Sequence, residues 1–444
     1  MDYTKVLTIL LKKKILMKLS AEKCKILIAA FTIIFTGCFC GKKTTSDNNN
    51  PVEKKADITV GSKKFTTTKF TKSGTAVVPM WKAAMGTTDI RNGAGFTALP
   101  NTEHANVWSP ATKEEGAYNH YACLIYFKGA FYAMWGNHEL GEDAPGQRVL
   151  YSKTTTWNQW GEMKELFAAP GPILPRTEKG IHFKPDRWAI IEDELYAVVF
   201  VHGAGRYPIA RKVMETGEFG EPFLVDFMPA NASLPSYMQG INTSELSPVA
   251  NKITDWYKQN DHISWWADAS NGVQRTAVDG SSLIESFMYR TKENEEVVML
   301  RNWGTSSNPV HNNRMYVSFR KPGGAWGKPH PTDIPDSPSR AQAIKLADGR
   351  IILIGNQNVP HYDAALYLDR DPMTLSISND GYVFDKVYSY RTGSPTTYKF
   401  SGIGGRNRGY GYSSSIIQDG YLYTLYSIGK EEMAISRVSL TEIK

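Results

Sequence analysis

An aromatic residue followed by a short polar turn recurs along this chain at nearly regular intervals. The aromatic residues are Trp160, Phe219, Trp326 and Phe384, each followed by Gly-Glu, Gly-Lys or Asp-Lys. Successive members lie 59, 107 and 58 residues apart, and the long interval is close to two repeats. Strand-rich repeats of this length are typical of sheets arranged around an axis. The spacing therefore predicts a β-propeller in which one repeat has lost its marker.

The repeat unit itself is rich in strand-forming residues. Residues 117–160 contain three β-rich runs, and the turns between them carry Lys128-Gly129 and Pro145-Gly146. We predict an all-β, six-bladed β-propeller, with seven blades as the alternative. The predicted blades cover residues 117–162, 185–224, 240–275, 284–330, 340–387 and 408–442. Residues 77–81 are expected to supply the strand that closes the ring, and residues 247–266 to be partly helical and to decorate the third blade.

The net charge argues against binding to nucleic acid. The chain has a formal charge of +7, but residues 1–37 carry seven lysines against Asp2 and Glu22. These residues account for +5, so only +2 remains for the predicted propeller. A nucleic-acid-binding surface requires a basic patch, and none is indicated.

The N-terminus has the features of an export signal. Lysines precede the apolar run 26–35, which is too short to span a membrane and is followed by Thr36-Gly37-Cys38. Gly37-Cys38 resembles a bacterial lipobox, and the resemblance implies lipidation of Cys38. An uncleaved anchor is the alternative, and Met17 is an alternative start. We predict a signal peptide at 1–37, a lipidated cysteine and flexible tether at 38–56, and the propeller domain at 57–444. The expected location is the cell envelope, anchored in the outer membrane.

Several short motifs resemble those of sialidases. Residues 378–384, Ser-Asn-Asp-Gly-Tyr-Val-Phe, resemble the Asp-box, a hairpin in which the aspartate binds turn amides and the aromatic residue packs between strands. Residues 152–157 and 318–326 resemble degenerate copies. Asp-boxes are structural, so they support the fold and not an activity.

Other segments resemble the parts of sialidases that carry the reaction. Residues 370–378 resemble the run that supplies one arginine of the carboxylate-binding triad, here Arg370. Glu285 with Arg301 resembles the segment that holds a catalytic glutamate and another triad arginine, and Tyr412 lies where the nucleophilic tyrosine is expected. The resemblance implies that Tyr412 and Glu285 are the nucleophile and its base, and that Arg301 and Arg370 bind a carboxylate. For each of these residues, a purely structural role is the alternative.

The first repeat departs from the sialidase pattern. His120 stands where the first triad arginine is expected, and no aspartate matches the acid/base residue. The run 119–148 also resembles propeller-fold ulvan lyases and related rhamnosidases, which use paired histidines. We therefore count His120, His138 and Asp143 as candidate catalytic residues, and Gln147 and Arg148 as candidate substrate-binding residues.

These observations favour an exported, lipid-anchored glycoside hydrolase of the sialidase type that acts on a glycan containing sialic acid or uronate. A polysaccharide lyase with paired histidines is the first alternative, and a glycan-binding propeller without activity is the second. No Cys-x-x-Cys or His-Glu-x-x-His spacing is present, so no metal or other cofactor is expected. The expected partners are the acidic glycan and the membrane, with the protein acting as a monomer.

Overall fold

The computed structural model describes residues 54–168, 181–202, 206–225, 248–258, 272–302, 313–358 and 369–444. The predictions for the signal peptide, Cys38 and most of the tether lie outside these residues. Residues 54–444 belong to one compact unit. No helix in the described ranges is long and apolar enough to cross a membrane.

The described residues form one small hairpin and five four-stranded antiparallel sheets. The hairpin consists of β1 (Ala56–Val60) and β2 (Lys63–Thr67), and β3 is Glu103–Trp108. Blade 1 contains β4 (Tyr118–Phe127), β5 (Ala130–His138), β6 (Arg148–Thr154) and β7 (Lys164–Phe167). Blade 2 contains β8 (His182–Ile191), β9 (Glu194–His202), β10 (Arg206–Val213) and β11 (Phe223–Leu224).

The remaining three blades follow in chain order. Blade 3 contains β12 (Leu283–Arg290), β13 (Glu296–Asn302), β14 (Arg314–Arg320) and β15 (His330–Pro335). Blade 4 contains β16 (Gln342–Lys345), β17 (Ile351–Gly355), β18 (Met373–Ser378) and β19 (Phe384–Arg391). Blade 5 contains β20 (Tyr410–Gln418), β21 (Tyr421–Ile428) and β22 (Glu432–Ser439), and β3 completes it.

Apolar side chains from neighbouring blades form the core. Separate buried clusters join blades 1 and 2, blades 3 and 4, blades 4 and 5, and blades 5 and 1. The central strands β5, β13 and β17 are buried almost throughout, because each sheet is covered on both faces. This packing confirms the all-β propeller.

The predicted number of blades is wrong for the described part of the chain, which contains five and not six. The aromatic markers share one position in the blades: Trp160, Phe219 and Trp326 lie between the third and fourth strands, and Phe384 begins the fourth strand. The long interval does not contain a further described blade. In the predicted blade 240–275, residues 248–258 form an α-helix (α1, Pro248–Lys258), which packs on blade 2 through Ile253 and Tyr257. The predicted helical character is confirmed there, but the helix covers blade 2 and not the predicted third blade.

The strand that closes the ring also differs from the prediction. Strand β3 pairs with β22, so the N-terminal part of the propeller completes the last blade. This pairing covers an edge that would otherwise be exposed. Residues 77–81 instead run beside two blades, where Val78 bridges Thr332 and Trp81 bridges Phe384. The apolar run 77–81 resembles a closing strand more than Glu103–Trp108 does, because the latter carries Glu103, His104 and Asn106.

The Asp-box of blade 4 has the predicted geometry. Asp380 accepts hydrogen bonds from the amides of Tyr382 (2.7 Å) and Val383 (3.0 Å), and Phe384 is completely buried. In the two degenerate copies a serine bridges the same turn: Ser152 donates to the carbonyl of Gly161, and Ser318 to that of Gly327, both at 2.9 Å. The hairpin therefore also forms in copies that lack the aspartate.

Candidate functional site

Bulges in the innermost strands aim side chains toward a common point. Strands β4, β12 and β20 each shift register near their first residues, between His120 and Cys123, Ile284 and Phe287, and Gly411 and Ser414. Within these bulges Tyr121, Glu285 and Tyr412 have φ values of 63°, 54° and 54°. Left-handed backbone is unfavourable for such residues and is concentrated at functional sites. Three blades thus present one strained residue each at the same end of the propeller.

Tyr412, Glu285 and Arg301 form a closed hydrogen-bonded group. The Tyr412 hydroxyl donates to Oε1 of Glu285, and Nη1 of Arg301 donates to Oε2 of Glu285 at 2.6 Å. The same Nη1 donates to the Tyr412 hydroxyl oxygen at 3.1 Å. The phenol therefore faces a base that can take its proton and a cation that can stabilise the phenolate.

Burial controls the protonation of this group. Burial and the carboxylate of Glu285 raise the pKa of Tyr412, while Arg301 and Arg370 act in the opposite direction. Burial also disfavours the charged form of Arg301, but Glu285 and Tyr412 raise its pKa overall. The resting group is a neutral phenol beside a carboxylate–guanidinium pair.

Arg370 reaches the ring face of the same tyrosine. Its guanidinium lies 5.3 Å from the ring centroid of Tyr412, and Nη2 donates to the carbonyl of Pro338 at 2.9 Å. A Cβ atom at Gly411 would lie 3.0 Å from Nη1 of Arg370, so glycine allows this close approach. The structure thus brings the two predicted carboxylate-binding arginines, Arg301 and Arg370, to one tyrosine.

His120 packs on Tyr412 as well. Their ring centroids lie 4.0 Å apart, and Nδ1 of His120 shares a hydrogen bond of 2.7 Å with Ser427. Burial, together with nearby cations such as Lys430, lowers the pKa of His120 well below its usual value. The imidazole is therefore neutral near pH 7, and its Nε2 has no hydrogen-bond partner within the described ranges.

A network of carboxylates and lysines lies on the blade 1 side. The Tyr121 hydroxyl donates to Glu142 (2.9 Å) and to Asp143 (3.0 Å). Lys430 pairs with Glu142 at 2.7 Å, and Lys184 with Asp143 at 2.5 Å. Burial lowers the pKa of Lys430 to about 8, against the opposing effect of Glu142. The ring of Tyr121 lies 5.6 Å from that of Tyr412, so this network adjoins the Tyr412 group.

Asp336 is a further buried carboxyl group near the arginines. It follows β15, and its amide donates to the carbonyl of Asn313 at 3.1 Å. Its side chain is completely buried, and neither oxygen has a hydrogen-bond partner among the described residues. Burial raises its pKa to about 8, although Arg301 and Arg370 act to lower it.

The side chains of three predicted site residues form hydrogen bonds that hold the surrounding structure. Nδ1 of His138 accepts from the amide of Leu140 (2.9 Å), so its Nε2 donates to the carbonyl of Pro145 (3.0 Å). Gln147 is fully buried and donates to the carbonyl of Phe183 at 2.7 Å, which ties blade 1 to blade 2. Arg148 donates to Asn137 at 2.8 Å and pairs with Glu165. Both ring nitrogens of His138 are therefore engaged within its own loop, and the contacts of these residues hold the β5–β6 loop in place.

Residues 136–424, about two-thirds of the chain, match the family of BNR repeat-like domains. The chain belongs to this family. Comparison with solved structures adds that it is a sialidase-like BNR β-propeller. Comparison of the sequence with curated proteins gives no match.

The solved structures that resemble this BNR propeller are remote in sequence. A sialidase has 16% identity and a TM-score of 0.61, with 82% of this chain and 35% of that chain covered. A Dyadobacter fermentans protein of unknown function has 12% identity and a TM-score of 0.49, with 77% of this chain and 100% of that chain covered. Trypanosoma rangeli sialidase in complex with sialic acid has 12% identity and a TM-score of 0.43, with coverages of 79% and 60%. The chain spans about a third of the length of the first sialidase, and the likeness to that sialidase shows the fold alone.

Sequence reasoning missed several residues that this BNR propeller places at the site. They share burial and a position at the end of a strand or in the turn that follows it: Tyr121, Lys184, Asp336, Ser427 and Lys430. Their signal was weak, because single polar residues at strand ends are common. In the described part of the chain no three His, Cys, Asp or Glu side chains are grouped so as to hold a metal ion.

Proposed function

We propose that this protein is a glycoside hydrolase that acts on a glycan with an acidic sugar. The observation that carries the proposal is the Tyr412 hydroxyl held between Glu285 and Arg301. A phenol in this setting is an activated nucleophile that adds no negative charge next to an anionic substrate. The membership in a sialidase-like family supports a glycoside hydrolase, and Arg301 with Arg370 supports an acidic substrate.

The proposed reaction has two displacements. In the first, the Tyr412 oxygen bonds to the anomeric carbon while Glu285 takes the phenolic proton. The bond to the leaving sugar breaks, and the departing oxygen takes a proton from Asp143, which receives it from its ion-pair partner Lys184. In the second, water attacks the anomeric carbon and passes a proton through Asp143 back to Lys184, while the proton on Glu285 returns to Tyr412. The configuration at the anomeric carbon is retained.

His120 and the Glu142–Lys430 pair would shape the side of the site where sialidases have their first triad arginine. The neutral imidazole of His120 supplies no cation there, and Lys430 is already paired with Glu142. With two arginines in place of three, we expect uronate-containing glycans to be better substrates than sialosides.

A polysaccharide lyase is the second candidate. The neutral His120 favours it, because its free Nε2 can accept a proton from carbon next to a carboxylate. The hydrogen bonds that hold His138 in its own loop remove the support that a histidine pair gave to this alternative.

The test is to incubate the full chain with sialosides and uronate-rich polysaccharides while following two signals. New reducing ends without ultraviolet absorbance from unsaturated uronate support a hydrolase. Absorbance that rises with the reducing ends supports a lyase that uses His120. Binding without either signal supports a glycan-binding propeller without activity.

We also propose that the protein is exported and anchored in the outer membrane through a lipid on Cys38. The proposal rests on the apolar run 26–35 and on Gly37-Cys38. Labelling cells with a radioactive fatty acid tests it. The wild-type protein is expected to carry the label in the membrane fraction, and Cys38→Ala to lose it. A label that persists in Cys38→Ala contradicts lipidation at this residue.

A further inference from the structure

In the described part of the chain, several buried polar atoms without a hydrogen-bond partner belong to three residues that contact Tyr412 and to Asp336, which lies near the arginines. They are Nε2 of His120, Nε of Arg301, Nε of Arg370 and both carboxyl oxygens of Asp336. A buried polar group left without a partner costs about 1–3 kcal/mol, so such groups are rare unless a ligand or water engages them. Their concentration here points to a polar ligand.

The charges of the arginines indicate the kind of ligand. Arg301 pairs with Glu285 at 2.6 Å. Arg370 has no carboxylate within salt-bridge distance among the described residues, and it contacts the Pro338 carbonyl and the Tyr412 ring. Among the described residues, Arg301 and Arg370 together have one carboxylate within salt-bridge distance, that of Glu285, which leaves room for one more negative charge.

Asp336 belongs to the segment that holds Arg370. The carbonyl of Pro338 accepts from Nη2 of Arg370, and the Ser337 hydroxyl donates to the carbonyl of Asp369 at 2.7 Å. Asp336 thus lies two residues before Pro338, which contacts Arg370 directly. An ionised Asp336 would supply the missing negative charge and would compete with an anionic ligand.

We propose that Asp336 is a specificity-determining residue of an anion subsite formed by Arg301 and Arg370, and that it must be a neutral carboxylic acid for a carboxylate to bind there. The inference rests on the proposed function, because it concerns the carboxylate of the same acidic sugar. Binding of the carboxylate then requires one proton on Asp336.

The surroundings of Asp336 favour its neutral form. Burial is the largest influence and raises its pKa to about 8, the two arginines oppose this effect, and Glu285 adds to it. A carboxylate placed between the arginines would offset their effect and raise the pKa further. The charged groups that act on Asp336 are Arg301 (β13), Arg370 before β18 and Glu285 (β12). Arg314 (β14) lies opposite Pro335, the residue before Asp336, and the two aspartates that flank Arg370, Asp369 and Asp371, both pair with Arg91, at 3.0 and 3.6 Å.

The test is infrared difference spectroscopy of the full chain during a pH titration, with acetate as the probe. A protonated carboxyl group gives its own infrared absorption band. The band that is absent from Asp336→Asn belongs to Asp336. Asp186→Asn, which changes another completely buried aspartate, is the matched control and should keep this band. We expect the band to persist at pH 7 and the midpoint of its loss to move to higher pH as acetate is added.

The affinity for acetate should fall about tenfold per pH unit above the midpoint in the wild type and stay constant in Asp336→Asn. An ionised Asp336 at neutral pH overturns the proposal, and so does a midpoint that acetate does not move. Because acetate is not a sugar, a shifted midpoint supports the anion subsite even if no glycan is cleaved. Lack of hydrolysis in that case overturns only the proposed function.

Discussion

The hydroxyl of Tyr412 donates a hydrogen bond to the carboxylate of Glu285, a residue 127 positions earlier in the chain. Two blades that are not consecutive in sequence thus build one reactive group. The bulges that give both residues left-handed backbone make this contact, because a regular strand would point them elsewhere. The strain at these positions is consistent with a role in catalysis.

Removal of the Tyr412 hydroxyl should stop turnover without disturbing the fold. Tyr412→Phe keeps the ring that packs on His120 and Arg370 and loses the proposed nucleophile. We expect the rate of glycan hydrolysis to fall at least about 10²-fold. Tyr410→Phe is the matched control, because its hydroxyl donates to the carbonyl of Thr392 at 3.0 Å and not to the Glu285–Arg301 pair. Equal losses in both variants would speak against a special role for Tyr412.

The Glu285–Arg301 pair should be strongly coupled. Arg301→Met leaves the carboxylate of Glu285 buried without its cation, which should reduce the free energy of unfolding by roughly 3–5 kcal/mol. The double variant Glu285→Gln/Arg301→Met should recover much of this loss, because no charge remains unpaired. Urea denaturation of the two single variants and the double variant measures the coupling. Additive losses would show that the pair does not act as a unit.

The two histidines that the sequence placed together should behave differently. His120→Ala removes a ring that packs on Tyr412, so we expect activity to fall at least about tenfold. His138→Ala removes a ring whose nitrogens serve only its own loop, so activity should change less than about threefold. Steady-state rates of both variants on one substrate decide the matter. A larger effect at His138 would restore the paired-histidine hypothesis.

Stability should depend on pH through Asp336. Its pKa is raised from 3.8 to about 8, so the native protein holds a proton that the unfolded chain has lost between these values. The Asp336 carboxyl therefore contributes most to stability at low pH. Its contribution falls by about 1.4 kcal/mol per pH unit as pH rises toward 8. Urea denaturation of the wild type and of Asp336→Asn at several pH values gives the difference between their free energies of unfolding. This difference should fall with the same slope as pH rises. A difference that does not vary with pH would contradict the assignment.

The Asp-box should matter for stability and not for catalysis. Asp380→Ala removes an acceptor for two turn amides and the partner of Lys63 (2.8 Å), so we expect a loss of about 1–3 kcal/mol in the free energy of unfolding. Asp385→Ala, at an exposed position in the same hairpin, should change stability by less than about 0.5 kcal/mol. Thermal unfolding and activity below the transition separate the two effects. A loss of turnover in folded Asp380→Ala would indicate a catalytic role.

The sequence was sufficient to predict a propeller, because its turns repeat and its strands are apolar. Each marker from Trp160 to Phe384 lies between the third and fourth strands of a blade or begins the fourth. The number of blades was not accessible, because an interval of 107 residues does not distinguish a blade without a marker from an insertion that includes α1. The choice of β3 as closing strand depends on pairing with β22, which lies more than 300 residues away.

The candidate site was only partly accessible from the sequence. Glu285, Arg301, Arg370 and Tyr412 lie in segments that resemble sialidases, and the structure brings them together. The position of Tyr121 depends on a bulge, and that of Asp336 depends on the course of the chain between two blades. No local sequence pattern encodes either feature. Gln147 and Arg148 were candidates because they end the run 119–148 that resembles propeller-fold ulvan lyases, and in the structure their contacts stabilise a loop.

The central claim is that Tyr412 attacks the anomeric carbon. The most direct test uses the fluorinated glycosyl fluoride of whichever acidic sugar is cleaved, because fluorine next to the anomeric centre slows the second displacement. Mass spectrometry of the digested protein should then find the sugar covalently attached to the peptide that contains Tyr412. A sugar attached to another residue, or rapid release of product with no adduct, would contradict the account.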